Sequence, residues 1–373
     1  MELTNSPAPE FEDENRANLI QKLSQSVPHV DSVTWAMLWL ANVDKLQYLV
    51  ALDEGVLWST LTSRHPQAVL RWAGRARARE DPEKPASVPQ KRKTQEPTPR
   101  RSDVMRAMCI ERDEFCAITQ KDEPLEVVHI YPYSMMTLPD RERSDFWARL
   151  QTFWPAAKIK QWKQVVDGPR GTEVLGNMLR LSRDAHGLWG MARFALQPVE
   201  LSADKKCLTM RFFWLPSAQF QESVATNTRP LIPSNLKQVL KRTKLFNCES
   251  GDQICSGDII RMETNNPETL PLPSLEILEL QWVMTRVLSM SGAADIDPAE
   301  LEDDSDDDPG IGEECRVDTP TGTIPRKAIW TPRRDNRSQV ENISPSQSPG
   351  KSLTPLSQRP ASNQISPREP RSR

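Results

Sequence analysis

Two histidines stand in patterns that could do chemistry. His129 ends the run Val127-Val128-His129 and leads into Ile130-Tyr131-Pro132, while His186 closes a run that begins Gly176-Asn177-Met178-Leu179. An imidazole with its ordinary pKa of about 6.5 accepts a proton at cellular pH, and a carboxamide such as that of Asn177 braces a geometry without titrating. The other two of the four histidines, His29 and His65, have no neighbouring histidine or cysteine and read as turn residues. The six cysteines (Cys109, Cys116, Cys207, Cys248, Cys255 and Cys315) include no CxxC pair, so neither a zinc knuckle nor a dithiol redox motif is spelled out. They read as free thiols of a reducing compartment.

Local patterning predicts what positions these groups. Cys116-Ala117-Ile118-Thr119 and Glu126-Val127-Val128-His129-Ile130 are β-prone runs joined by the polar stretch Gln120 to Pro124, which predicts a short hairpin that Tyr131-Pro132 ends. Asn177 and His186 are nine residues apart, with Leu179 and Leu181 between them and Asp184 available to cap a helix carrying His186.

The segments Arg112 to Thr119, Val127 to Pro132 and Gly176 to His186 together resemble the HNH endonuclease family. The resemblance is to its fungal branch, in which an aromatic-rich helical insertion separates the first His from the Asn, and it covers residues 104–292. It implies an α+β fold built on a ββα unit, and metal-dependent hydrolysis of DNA phosphodiester bonds. His129 maps to the general base that takes a proton from the attacking water. Asn177 maps to the residue that fixes the loop and orients that base, and His186 to a ligand of one divalent cation, Mg²⁺ or Mn²⁺. The pattern departs at two places. Val128 stands where characterised members carry Asp or His as a second metal ligand, and His186-Gly187-Leu188-Trp189-Gly190 lacks the Asp that often follows. Mg²⁺ prefers oxygen ligands, so both losses weaken the implied site. Among the carboxylates that could replace them, Glu126, Asp122 and Asp184, strand alternation turns Glu126 off the face of His129. The alternative function is therefore a catalytically inactive HNH-like module that binds nucleic acid or protein within a regulatory scaffold. Zinc is not expected, because Cys116 has no partner pair; it reads as a small buried residue.

The rest of the chain frames this unit. Of 373 residues 37% are hydrophobic and 27% charged, with 32 prolines against 14 glycines, which excludes one uniform globular enzyme. The net charge of −3 gives no overall attraction to nucleic acid, so its distribution matters more. Residues 1–15 are acidic and expected to be disordered, without the basic flank and apolar run of a secretory signal. Residues 16–79 predict a small helical region, with Trp35, Trp39, Val43, Leu46 and Val50 as a packing stripe behind the cap Asp31-Ser32. Residues 80–101 form a basic, proline-rich linker whose Gln90-Lys91-Arg92-Lys93 resembles a nuclear localisation signal, giving the expectation of an intracellular, nuclear protein. No apolar run is long enough to span a bilayer, so no membrane partner is expected.

Residues 102–292 hold the tryptophan-rich core of the HNH-like domain. Between Pro132 and Asn177, the series Phe146, Trp147, Leu150, Phe153 and Ile159, Trp162, Val166 predicts two amphipathic helices. The basic residues among them, Arg141, Arg143, Lys160 and Lys163 included, could meet phosphates, although the aromatics follow a core stripe. Phe194–Leu201 and Cys207–Leu215 predict an extra hairpin, and residues 273–291 a closing helix ending at Gly292. Residues 293–373 are expected to be a disordered tail, acidic at Glu302 to Asp308 and then basic, with 11 basic against 4 acidic residues from Arg316 onward. Six Ser-Pro or Thr-Pro steps there are candidate phosphorylation sites, and the tail is where protein partners are expected; DNA is the partner expected of the domain.

Overall fold

The computed structural model describes residues 6–63, 69, 72, 102–239 and 242–295. The linker expected at 80–101 and nearly all of the tail lie outside the described residues. Among the described residues before Ser102, four α-helices run in succession: α1 (Glu14–Ser26), α2 (Ser32–Leu40), α3 (Val43–Val50) and α4 (Glu54–Thr62). Each begins behind an Asp or Asn whose side chain accepts first-turn amides: Asp13, Asp31, Asn42 and Asp53. Such caps satisfy donors that the first turn leaves open, and each stabilises its helix by about 1 kcal/mol. The Trp35-to-Val50 stripe is divided between α2 and α3 at Asn42. All nine residues of α2 are buried, because the closing helix packs along it. Residues 6–15 depart from the expectation of disorder: Pro9–Glu12 forms a 3-10 turn, and Phe11 packs edge-on against Trp39 at 6.2 Å.

After α5 (Asp103–Arg112) come strand β2 (Leu125–His129), helices α6 (Asp140–Phe153) and α7 (Ala156–Val166), strand β3 (Met178–Ser182) and helix α8 (Arg183–Gly190). A two-residue strand, β1 (His29–Val30), precedes them in the chain. The expected hairpin is corrected in its pairing. β2 pairs antiparallel with β3, with Glu126 opposite Leu181, Val128 opposite Leu179 and His129 opposite Met178. Residues 116–119 form a turn instead of a strand. The Cys116 carbonyl accepts from the Gln120 amide at 3.0 Å, which closes the segment on itself, and only the Ala117 amide reaches β3, at the Arg180 carbonyl. The partner strand pairs with β2 over all five residues and sets Leu179 and Leu181 on the core face, which the turn at 116–119 does not. Both insertion helices form as the spacing predicts, starting after Pro139 and Pro155 and burying Phe146, Trp147, Leu150, Phe153, Ile159, Trp162 and Val166. One basic residue of the insertion is core: Arg149 donates to the Thr60 carbonyl and the Thr34 hydroxyl, both at 2.7 Å.

The extra hairpin is β4 (Phe194–Leu201) against β5 (Cys207–Trp214); β6 (Val224–Ala225) pairs with β1, and β7 (Ile259–Glu263) adds a third strand beside β5. Leu208, Met210, Phe212 and Trp214 are buried on one face, and Phe213 is buried on the other against Trp282 of α9 (Leu275–Ser291). That helix is the hub. Its Arg286 is fully buried over Trp282 and pairs with Glu10 at 3.0 Å, while its last residue, Ser291, accepts at its carbonyl from Ser32. Burial holds the Arg286 guanidinium below its ordinary pKa, opposed by the Glu10 charge. One apolar cluster therefore joins the N-terminal helices, the insertion, the three-stranded sheet and α9. Among the described residues no helix is long and apolar enough to cross a membrane.

Candidate functional site

The β2–β3 ribbon has two buried faces, and they carry different histidines. Strand alternation puts Val127, His129 and Met178 on the face covered by α5, where Val127 and Met178 pack with Cys109. Glu126, Val128, Leu179 and Leu181 share the opposite face. There Val128, Leu179 and Leu181 join the large core, together with Ala185 of α8.

On the α5 face, His129 Nε2 lies 2.7 Å from Glu173 Oε1, and the two side chains are only 9% and 10% exposed. The second carboxylate oxygen, Oε2, accepts from the Ser102 amide at 2.7 Å, where Ser102 caps α5. Glu173 is thereby held from two sides. Nε2 of the ring is thus committed to Glu173, whose carboxylate can accept from an imidazole N–H. Tyr133 lies beside the ring, with centroids 5.7 Å apart. A cavity of about 180 Å³ opens onto the dyad, lined also by Asp103 and Arg106.

Asn177 is fully buried just before β3. Its Oδ1 accepts from the Tyr131 amide at 2.7 Å, and its Nδ2 donates to the Tyr131 and Thr172 carbonyls at 3.2 and 3.1 Å. Its own carbonyl accepts from the Ile130 amide. One carboxamide thus ties the chain leaving His129 to the chain entering Glu173. The same loop is pinned by Arg112, which donates to the Leu175 and Met178 carbonyls and pairs with Asp113 at 2.7 Å. Behind it, burial and the neighbouring Asp113 push the Cys109 thiol up to about 12.

On the other face, His186 Nδ1 lies 2.6 Å from Glu126 Oε2, and Arg183 reaches the second Glu126 oxygen at 3.1 Å. The hydrogen bond from His186, against a smaller opposing effect of burial, holds the Glu126 carboxyl below its ordinary range. Helix α8 is capped by Ser182, whose hydroxyl accepts from the Ala185 amide, and not by the expected Asp184. Ser182 ends β3 with an extended backbone and so already occupies the position a cap requires.

Strand alternation does turn Glu126 away from His129, but His186 is on that same far face, so the carboxylate meets the histidine of α8. Val128, between them in the strand, is 3% exposed within the core. The available metal donors are consequently one imidazole and one carboxylate; among the described residues no three of His, Cys, Asp and Glu converge. Mg²⁺ keeps several waters and is often held by one or two carboxylates, and Mn²⁺ accepts imidazole beside carboxylate, so His186 and Glu126 fit a largely hydrated cation. Glu173 is the residue that reading the sequence missed. It sits within Gly171-Thr172-Glu173-Val174 with no motif to mark it, and the sequence carries no signal beyond a Glu four residues before Asn177.

Residues 116–197 match the family model described as HNH endonuclease. No curated protein and no solved structure matches the chain.

Proposed function

With residues 116–197 forming a domain of the HNH endonuclease family, we propose that the protein hydrolyses DNA phosphodiester bonds, with His129 as general base. The observation that carries this reading is the His129–Glu173 dyad. A buried carboxylate against one imidazole nitrogen makes the other a better base and stabilises the imidazolium formed when it takes the proton of an attacking water. Asn177 keeps the His129 and Glu173 loops in register through its three hydrogen bonds. His186 and Glu126 are the residues that would hold a divalent cation. When bound, such a cation neutralises charge on the phosphoryl oxygens and the departing oxygen. Arg183, beside Glu126, adds a fixed positive charge on that face.

One observation favours a second reading, a domain that binds nucleic acid or protein without cutting. His129 closes β2, whereas Glu126 stands three residues earlier, which at about 3.3 Å per residue is about 10 Å along the strand and on the opposite face. Groups so placed do not converge on one phosphate, and Val128 supplies no donor between them.

The test is nicking of supercoiled plasmid and of single-stranded DNA by the full chain with Mg²⁺, Mn²⁺ or EDTA, beside His129→Ala and His186→Ala. Metal-dependent nicking that both variants lose supports the nuclease. Folded protein that cleaves nothing with either metal transfers the assignment to the binding module.

A further inference from the structure

The insertion builds a second hollow. A cleft of about 500 Å³ lies between α6, α7 and the loop 167–171. Its floor includes Tyr131 and Trp147, two buried rings 6.1 Å apart and within 6° of parallel. Its walls carry three cations, Arg143, Lys163 and Arg170, against the carboxylates of Asp140 and Asp167. Two of the cations are partly committed. Arg143 pairs with Asp140 and donates to the Met136 carbonyl, and Lys163 Nζ lies 3.4 Å from Asp167 one turn along α7. Arg170 is exposed at the rim, and no carboxylate among the described residues pairs with it. The cleft therefore has one surplus positive charge and an accessible lining that is more polar than apolar, with the two rings buried beneath it, which suits an anionic group with polar edges.

Two stretches of the cleft's lining lie close in sequence to the His129–Glu173 dyad. Tyr131 is two residues after His129, and its backbone is gripped on both sides by Asn177. Gly171 is two residues before Glu173 and has φ +55°, a turn that a side chain would strain, so the loop passes sharply from the cleft to the dyad. The cleft and the dyad are thus joined by two short stretches of chain, residues 129–131 and 171–173. The volume falls within the usual range for a small organic ligand, about 300–1,000 Å³, and so suits one nucleotide. A base stacked within a duplex cannot enter such a recess without being unpaired.

We propose that this cleft is a subsite for a single unpaired nucleotide of a DNA strand, its phosphate met by Arg170 and Lys163. The inference rests on the reading of the domain as a DNA-cleaving one, in that it places the strand on both sites, but it concerns binding alone. The experiment is fluorescence anisotropy of the full chain with a labelled single strand and the matching duplex, in EDTA, across a salt series. Arg170→Glu and Lys163→Glu are compared with wild type. The expected result is tighter binding of the single strand than of the duplex. Arg170→Glu should weaken single-strand binding about tenfold and reduce the slope of log affinity against log salt by about 1. Arg170 is exposed, so its variant should melt with the wild type; Arg170→Gln, giving a smaller loss in the same direction, separates lost contact from added repulsion. Wild-type affinity in both charge-reversal variants, or no binding by the wild type, overturns the subsite. Complete displacement of the strand by an equal concentration of free mononucleotide would also overturn it, assigning the cleft to a soluble nucleotide. Binding that depends on Arg170 without cleavage by any form keeps the subsite and removes the nuclease, and cleavage with binding indifferent to Arg170 does the reverse.

Discussion

His186 hydrogen-bonds Glu126 at 2.6 Å, which fastens the histidine of α8 to the beginning of β2 while His129 occupies its end. The two histidines of the motif thus belong to two carboxylate pairs on opposite faces of one ribbon. One pair is buried and rigidly held; the other is more than a third exposed. Under the proposed function the enclosed pair, whose ring is held in one orientation, would serve proton transfer, and the exposed pair would serve a hydrated cation that must exchange with solvent.

Glu173→Gln should separate chemistry from binding. The amide still accepts from the Ser102 amide but no longer stabilises an imidazolium at His129, so kcat should fall by about 10²–10⁴-fold with DNA affinity unchanged. Single-turnover cleavage and anisotropy on the same preparation check this. A parallel fall in affinity would show that Glu173 organises the binding surface instead.

Asn177→Ala should cost stability before it costs chemistry. The substitution strands the Tyr131 amide and the Tyr131 and Thr172 carbonyls in a fully buried loop, and groups of this kind cost about 1–3 kcal/mol each when left unpaired. Urea unfolding should give a loss of at least about 2 kcal/mol, and Asn177→Asp should also be destabilised because it cannot donate to either carbonyl. A loss below about 1 kcal/mol for both would mean that water or backbone movement substitutes for the carboxamide.

Much of this arrangement was legible from local pattern. The insertion helices, the β4–β5 hairpin and the closing helix declare themselves through aromatic and aliphatic spacing, although the closing helix and β5 are buried on more than the one face that the spacing marks. The strand partner of β2 was not legible. Residues 116–119 are nearer in sequence and equally β-prone, and only the approach of residues 178–182 across the folded insertion decides against them. The two carboxylates were hidden for different reasons. Glu173 is selected by the fold of a loop that has no periodicity, while Glu126 could be assigned a face from alternation but not a partner, because the face occupied by α8 is a tertiary fact. Strand β7 likewise follows a long irregular connection and shows itself only beside β5.

Alkaline pH should expose the buried thiol network. Cys109 is raised from about 9 to about 12 by burial and by Asp113. Because the folded value lies above the unfolded one, its contribution is fully present below about pH 9 and is lost as pH rises toward 12, by up to about 1.4 kcal/mol per pH unit. Cys109→Ala should therefore show a shallower loss of stability than wild type across that window. In native protein at pH 8, mass spectrometry should find Cys248, which is exposed, alkylated by iodoacetamide and Cys109 unmodified until denaturant is added. Equal labelling of both thiols would contradict the buried network.

Gly292→Ala tests whether the end of the hub helix is as constrained as its geometry requires. Gly292 has φ +75°, the left-handed turn that terminates α9, and a Cβ there would stand 2.3 Å from the backbone carbon of Gln219 and the nitrogen of Phe220. The clash is with main chain, which cannot swing aside as a flexible side chain can. Alanine should destabilise by more than about 1 kcal/mol, beyond the ordinary cost of a left-handed alanine. Because α9 supports α2 and the three-stranded sheet together, thermal unfolding should remain one transition at a lower Tm. The control is Gly251→Ala, also at positive φ but with open space around its Cβ, which should show only the backbone cost; an equal loss in both would assign the effect to φ alone and leave the Gln219–Phe220 contact without energetic weight.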